Sequence, residues 1–245
     1  LNSTRRVEDL VLHYAPGVVT VGGRIQSGVI GPGCTNERYE DCRELAQFCI
    51  DSKLPLVIDA GALDLVRSLV DYADAHSRCL SRAILTPHHG EAARLLTQFG
   101  HQLSRADVDA DPATSAKELA SLTGAIILLK SATTLCSYLH HDQGNRTQEI
   151  ISIPQETPWA GVAGSGDVLA GTVAGIAAGF QARAERRQGN PSISEAECAS
   201  LASLGAWVHA QAAFLASVGS EGHAHPIQAI DIARALPEII GGLCS

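Results

Sequence analysis

The 245 residues carry 18 Lys and Arg against 26 Asp and Glu, a formal charge of −8, with 45 % hydrophobic and 18 % charged residues. That balance excludes a disordered chain, and with no cationic run longer than Arg5-Arg6 or Arg186-Arg187 it excludes a nucleic-acid footprint. No stretch of about 18 uninterrupted apolar residues and no basic-then-apolar leader is present, so neither a membrane span nor a signal peptide is expected, and the expected location is the cytoplasm.

A chain of this length buries roughly 70–75 % of its unfolded surface, enough for one large α/β domain. Its first β-branched runs, GVVTV (17–21) and SGVIG (27–31), read as strands. The segment 36–53 follows as a helix, with Leu45, Phe48 and Cys49 near helical spacing. LPLVID is a near-continuous apolar strand ending at Asp59, and the helix after it places Leu63, Val66, Leu69 and Val70 on one side. Strands apolar on both faces belong in a parallel sheet covered by helices.

The alternation continues with a strand to Leu85, a Pro-marked turn and a helix, then a helix begun by Pro112. AIILLK (125–130) is another buried strand, and TTLCSYL with TQEIISI flanks the turn-rich HHDQGNR as an edge hairpin. Beyond Asp167 the pattern is helical over 167–180, 194–218 and about 226–236. No repeat or linker divides the chain, so 1–245 is expected to be one domain. Cysteines 34, 42, 49, 79, 136, 198 and 244 show no CxxC pair or ligand rhythm and read as reduced, mostly buried thiols. The ten histidines show no HExxH or Cys/His spacing, which rejects structural zinc.

Chemistry gathers at strand ends and helix starts. In AGSGDVLAG, Gly164, Ser165 and Gly166 precede a helix starting near Asp167, so their amides suit a phosphate at a positive helix terminus. Asp167 as a simple helix cap is the competing explanation. Lys130 and the hydroxyls of Ser131, Thr133 and Thr134 follow a strand, where phosphate or ribose oxygens bind in parallel sheets; a solvated loop is the alternative. TPHHGEAARLL puts His88 and Glu91 at a strand end and a helix's first turn, which surface exposure and capping also explain. VIGPGC (29–34) and VIDAGALDL (57–65) deliver Gly or Asp to the same rim. Five such ends on one edge make a nucleotide-and-substrate cleft the better account.

IGPG, IDAGALDL, TPHHGEAARLL, LLKSATT and TPWAGVAGSGDVLAG, in this order and followed by a helical tail ending ALPE, resemble the ADP- or ATP-dependent NAD(P)H-hydrate dehydratases of the ribokinase-like superfamily. The tryptophan-bearing PWAGVAGSGD resembles the variant in actinobacterial members, and the resemblance spans about residues 15–239. The family usually has Pro where His89 stands and Gly where Ser131 stands.

The resemblance implies a ribokinase-like three-layer α/β/α fold with a mostly parallel central sheet and an edge hairpin. It implies dehydration of the S epimer of hydrated NADH or NADPH, with ADP or ATP as co-substrate and Mg2+ as cofactor. It assigns Asp167 as general base and substrate contact, and Lys130, Ser131, Ala132, Thr133, Thr134, Gly164, Ser165 and Gly166 to the nucleotide. Gly33 and His88 would contact the hydrated dinucleotide, and Glu91 a metal-bound water. Homo-oligomeric assembly is implied as well. A family segment has no counterpart before Leu1, and the chain holds no methionine, so an incomplete N-terminal part is expected. The alternatives are a superfamily kinase for a hydroxymethylpyrimidine or hydroxyethylthiazole alcohol, and an inactive nucleotide-binding protein.

Overall fold

Three-residue and four-residue apolar segments build the centre of the molecule, because each is buried on both faces and finds neighbours only in a covered sheet. The computed structural model describes residues 5–20, 22–142, 145–187, 192–219 and 222–244. In chain order the elements are α1 (Arg5–Tyr14), β1 (Gly28–Ile30), α2 (Tyr39–Asp51), β2 (Leu56–Ile58), α3 (Val66–Ala75), β3 (Ala83–Leu85), α4 (His89–Gln98), α5 (Arg105–Ala110) and α6 (Pro112–Thr123). Then come β4 (Ile126–Leu129), β5 (Thr133–Asp142), β6 (Asn145–Pro154), α7 (Ser165–Ala184), α8 (Glu195–Ser217) and α9 (Ala229–Cys244). The six strands lie in one sheet in the order β1-β2-β3-β4-β5-β6, the first four parallel and the last three joined antiparallel. This is the mostly parallel sheet with an edge hairpin that the motif order implies.

Strand alternation sorts the core into two layers. Leu56, Ile58, Leu85, Ile127 and Leu129 pack with residues of α2, α3, α4 and α6 on one face. Val57, Ile84, Ile126 and Leu128 turn to the other face and meet α7 and α8. A smaller cluster, including Ala212, Ala213, Ile227 and Ile232, seats α9 on α8. Helix boundaries follow local chemistry. Asp111 caps α6 by accepting from the Thr114 amide, Pro112 opens it, and Gly124 at φ 67° ends it. Ser194 and Glu197 close a reciprocal capping box on α8.

Several expectations shift. GVVTV is not a strand over the described residues 17–20, where Val19 is 67 % exposed; β-branched composition favours a strand only where the side chains pack on a half-buried sheet surface. Residue 21 lies outside the described residues. Phe48 faces outward from α2, whereas Cys49 is buried. The helix after Asp59 begins as a 3-10 segment, Ala60–Leu65, before α3. The strands β5 and β6 run further into HHDQGNR than the turn residues suggest, and its centre, 143–144, lies outside the described residues. Helix α9 starts three residues later than expected and passes through Pro237 to Cys244. Helices α1 and α5 were not expected; α5 carries a Ser104–Asp107 capping box that serves as its sequence signal.

Helix α8 is long and apolar enough to cross a membrane, but 61 % of its apolar window is buried inside the fold. It is a core helix packed on α7, α9 and the sheet, with Trp207 and Phe214 exposed on its outer side.

Candidate active site at the carboxyl edge of the sheet

The four parallel strands end on one rim. After β1, Gly31 takes φ +116°, and a side chain there would start 1.7 Å from the Asp59 carbonyl oxygen; only glycine lets the two strand ends meet. The Gly31–Cys34 turn, closed by a Cys34 amide bond to the Gly31 carbonyl (2.8 Å), holds Gly33 exposed on this rim. Asp59 follows β2 and is 1 % exposed. Past β3, Pro87 accepts from the Lys130 amide at 2.8 Å, which joins the ends of β3 and β4.

Lys130 reaches across this rim. Its Nζ lies 2.7 Å from Asp59 Oδ1 and 4.0 Å from Glu91 Oε2. The first turn of α7 closes the group: a Cβ on Gly166 would stand 3.1 Å from Lys130 Nζ and 3.6 Å from Asp59 Oδ2. A side chain at 166 would intrude on the ion pair, so the glycine exposes the helix's backbone to it. By helix geometry the Gly166 and Asp167 amides have no acceptor within α7, and the helix contributes roughly half a positive charge there. Lys130 brings a full positive charge beside them, shared with Asp59.

Helix α7 starts at Ser165, two residues earlier than expected, so Asp167 lies inside the first turn. Gly164, in the left-handed conformation at φ 84°, is the N-cap and makes no side-chain cap bond. Asp167 is exposed by area, yet the rim removes part of the hydration of its carboxyl, and that desolvation raises its pKa. The charge of Asp59 raises it further, while Lys130 opposes both. The two carboxylates therefore differ in setting: Asp59 is buried in an ion pair, and Asp167 is exposed.

The remaining residues divide. His88 and Glu91 form a reciprocal cap on α4: His88 Nδ1 accepts from the Gly90 and Glu91 amides at 3.0 and 3.2 Å, and Glu91 Oε2 accepts from the His88 amide at 2.8 Å. Capping thus accounts for the placement of both, and leaves the His88 ring half exposed at the rim. Ser131 donates to the Thr133 carbonyl within the β4–β5 turn, where Ala132 and Thr133 are exposed. Thr134 is 2 % exposed and accepts from Gln155 at 3.4 Å, so it faces inward from the turn. For a divalent cation, one oxygen of Glu91 is committed to the His88 amide, and among the described residues no three His, Cys, Asp or Glu side chains converge. This donor set does not form an all-protein cage. It fits a magnesium ion that arrives on nucleotide phosphates, keeps its waters and meets one carboxylate through them.

Two participants escaped sequence reasoning. Asp59 was placed on the rim by the VIDAG strand end but given no role; an acid directly after three buried apolar residues was its signal. His209, on α8, is 4 % exposed, and its Nε2 lies 3.2 Å from Ser165 Oγ and 3.1 Å from the Ser165 carbonyl. The carbonyl only accepts, so Nε2 carries the hydrogen and ties α8 to the first residue of α7. Burial lowers the imidazole pKa to about 4, a direction that Lys130 reinforces and the Ser165 carbonyl opposes. The unfolded chain therefore takes up a proton below its ordinary value of 6.5 that the folded chain refuses. Stability is expected to be full above pH 6.5 and to fall toward pH 4, by on the order of 3 kcal/mol in all. Urea unfolding across that window checks this, and His209→Gln, which keeps a donor but cannot ionise, should flatten the slope.

Two cavities of about 400 and 480 Å³ lie elsewhere, at the amino ends of β2 to β4, among Leu56, Ala83, Ile126 and Glu195. Neither includes Lys130, Asp59 or Asp167 in its lining.

A mostly parallel sheet with an antiparallel edge hairpin, helices on both faces and a helix N-terminus opposite a lysine make a ribokinase-like α/β fold. Solved structures agree on the fold. An ADP/ATP-dependent NAD(P)H-hydrate dehydratase from Bacillus subtilis superposes over 97 % of this chain and 78 % of its own, with a TM-score of 0.65 at 19 % identity. A ribokinase-like superfamily protein from Enterococcus faecalis does so over 89 % and 63 %, with a TM-score of 0.55 at 20 % identity.

The profile of the NAD(P)H-hydrate dehydratase family matches residues 5–233, and the chain belongs to that family. It is 31 % identical over 240 residues to the bifunctional NAD(P)H-hydrate repair enzyme Nnr of Corynebacterium glutamicum, a match covering 94 % of this chain and 40 % of that protein. It is 34 % identical over 163 residues to the ADP-dependent (S)-NAD(P)H-hydrate dehydratase of Neisseria meningitidis, covering 65 % and 44 %. The matches thus span less than half the length of these relatives.

Proposed function

We propose that this chain dehydrates the S epimer of hydrated NADH or NADPH at the expense of ADP or ATP. The observation that carries the reading is the meeting of Lys130, Asp59 and the bare face of Gly166, with Asp167 next in the chain. Family membership and the names of the relatives support the substrate class.

A ring hydroxyl leaves poorly, and a phosphate ester leaves well. In the proposed course the terminal phosphate of the nucleotide lies on the first turn of α7, with the amides of Gly164, Gly166 and Asp167 and the Lys130 ammonium drawing its charge; the Ser165 amide, expected there as well, is taken by the Val162 carbonyl at 3.1 Å. Asp167 accepts the proton of the substrate hydroxyl as its oxygen takes the phosphoryl group, and loss of phosphate together with a ring proton then restores NADH or NADPH. General-base help of this kind is worth on the order of 10²–10⁴ in rate. A magnesium ion carried on the nucleotide would lower the phosphate charge, with Glu91 touching its water shell. Ser131, Ala132 and Thr133 would line the nucleotide side and Gly33 and His88 the dinucleotide side, whereas Thr134, expected with the former, is 2 % exposed and turned inward.

We also assign residues 1–245 to one domain, since both core layers share one sheet. A cytoplasmic, homo-oligomeric protein without nucleic-acid or membrane partners fits the net charge of −8 and the exposed Trp207 and Phe214 on α8.

Incubation with hydrated NADH and ADP or ATP tests the activity. The expected outcome is nucleotide-dependent return of absorbance at the NADH wavelength. Flat absorbance with phosphorylation of a hydroxymethylpyrimidine or hydroxyethylthiazole alcohol would identify a kinase instead, and neither reaction would leave a nucleotide-binding protein.

A further inference from the structure

Cys34 and Cys42 have no place in the chemistry above, yet their sulfurs lie 3.1 Å apart, both partly accessible. Cys34 closes the Gly31–Cys34 turn at the rim, and Cys42 sits on the first turns of α2. A disulfide needs sulfurs at about 2.05 Å, so these two need approach by only about an ångström. Cys49, Cys79, Cys136 and Cys198 are free as well, but Cys49, Cys136 and Cys198 are buried and Cys79 faces solvent beside Ser81. Only the 34/42 pair among them joins access with an adjacent thiol.

We propose that Cys34 and Cys42 form a reversible disulfide site, taking a low-molecular-weight disulfide such as oxidised glutathione as its oxidant. The Cys34 thiolate attacks one glutathione sulfur, forming a mixed disulfide and releasing glutathione thiolate. The Cys42 thiol then loses its proton and attacks the Cys34 sulfur, expelling the second glutathione. Two protein thiols are oxidised by two electrons, and one glutathione disulfide is reduced to two thiols. Burial first, and then the bond to Cys34, raise the Cys42 thiol, which suits it to the second, resolving step. Capping Cys34 removes that second cause, and proximity favours the closing step.

The consequence reaches the rim through backbone contacts. A side chain on Gly61 would begin 2.6 Å from the Cys34 carbonyl oxygen, and one on Gly31 1.7 Å from that of Asp59. The turn that bears Gly33 is therefore wedged against the strand end that carries Asp59. A bridge to Cys42 ties this turn to α2 and limits its adjustment to a dinucleotide; this effect alone rests on the function proposed above.

The experiment exposes the intact protein to oxidised glutathione and maps thiols by mass spectrometry under non-reducing conditions. Expected are a peptide cross-linked between Cys34 and Cys42, its full reversal by dithiothreitol, and a trapped glutathione adduct on Cys34 in Cys42→Ser. Adducts on Cys79 with Cys34 and Cys42 both still free, or a stable Cys34 adduct in the native chain without cross-link, would overturn the site. In the dehydratase assay the bridged form should show a KM for hydrated NADH raised at least about threefold with the nucleotide KM unchanged. Equal KM values in both forms would remove the effect on the rim but not the bridge. Absence of dehydratase activity in the reduced protein would sink the functional reading and leave the cross-link measurement standing.

Discussion

Asp167→Asn is expected to lower turnover at least about 100-fold, the lower end of what a positioned general base supplies, while adenine nucleotide still binds. The amide keeps the shape of the carboxyl and leaves the first turn of α7 intact, because the N-cap of that helix is Gly164 and no side chain caps it. What it removes is the proton acceptor. The pKa of this carboxyl is raised, by desolvation and then by Asp59. A raised value means that protonation inactivates it at a higher pH than for an ordinary carboxyl, so the acid limb of kcat/KM should start correspondingly early. Steady-state rates and nucleotide titration separate the outcomes. Wild-type turnover in the mutant removes Asp167 from the chemistry, and loss of nucleotide binding gives it a structural role instead.

Lys130→Met is expected to damage both stability and binding. It leaves Asp59, 1 % exposed, without its partner at 2.7 Å. Removing one member of a buried pair costs about 3–5 kcal/mol, and the 21 % exposure of the Lys130 side chain moderates this to about 2–4 kcal/mol. For a chain of this size that lowers Tm by roughly 4–16 °C. Loss of a charge-assisted phosphate contact, about 1.5–3 kcal/mol, weakens nucleotide affinity by roughly 10- to 150-fold. The double variant Asp59→Asn/Lys130→Met should recover much of the melting temperature without recovering the nucleotide, because only the stability loss comes from a stranded carboxylate. Thermal melts and calorimetric titration read the two effects separately, and a Lys130→Met protein melting with the wild type would show that Asp59 is stabilised by other means.

The parallel strands were legible because burial on both faces demands an unbroken apolar run, and VIDAG, RAILTP and AIILLK each supply one ending in a turn. Caps at Asp111 and Ser194 and the Gly124 terminator act over four residues, so local sequence suffices. GVVTV shows the limit: its composition suits a strand, but its only credential is propensity, and residues 17–20 form none. The start of α7 was displaced by two residues for a related reason, since a glycine in left-handed geometry can serve as N-cap where sequence points to the acid further on.

Sequence by itself determined that Lys130, Asp167 and the glycines before it stand at strand ends and a helix start, and that one rim collects them, because periodicity and turn residues are properties of neighbours in the chain. Tertiary structure alone decided which groups meet: Lys130 with Asp59 across 71 positions, His209 with Ser165 across 44, and the two thiols at the end of β1 and on α2. The physical reason is that electrostatic and hydrogen-bond partners are chosen by distances of about 3 Å in the packed state, and those distances follow from how the sheet and its two helical layers close, which no local pattern contains.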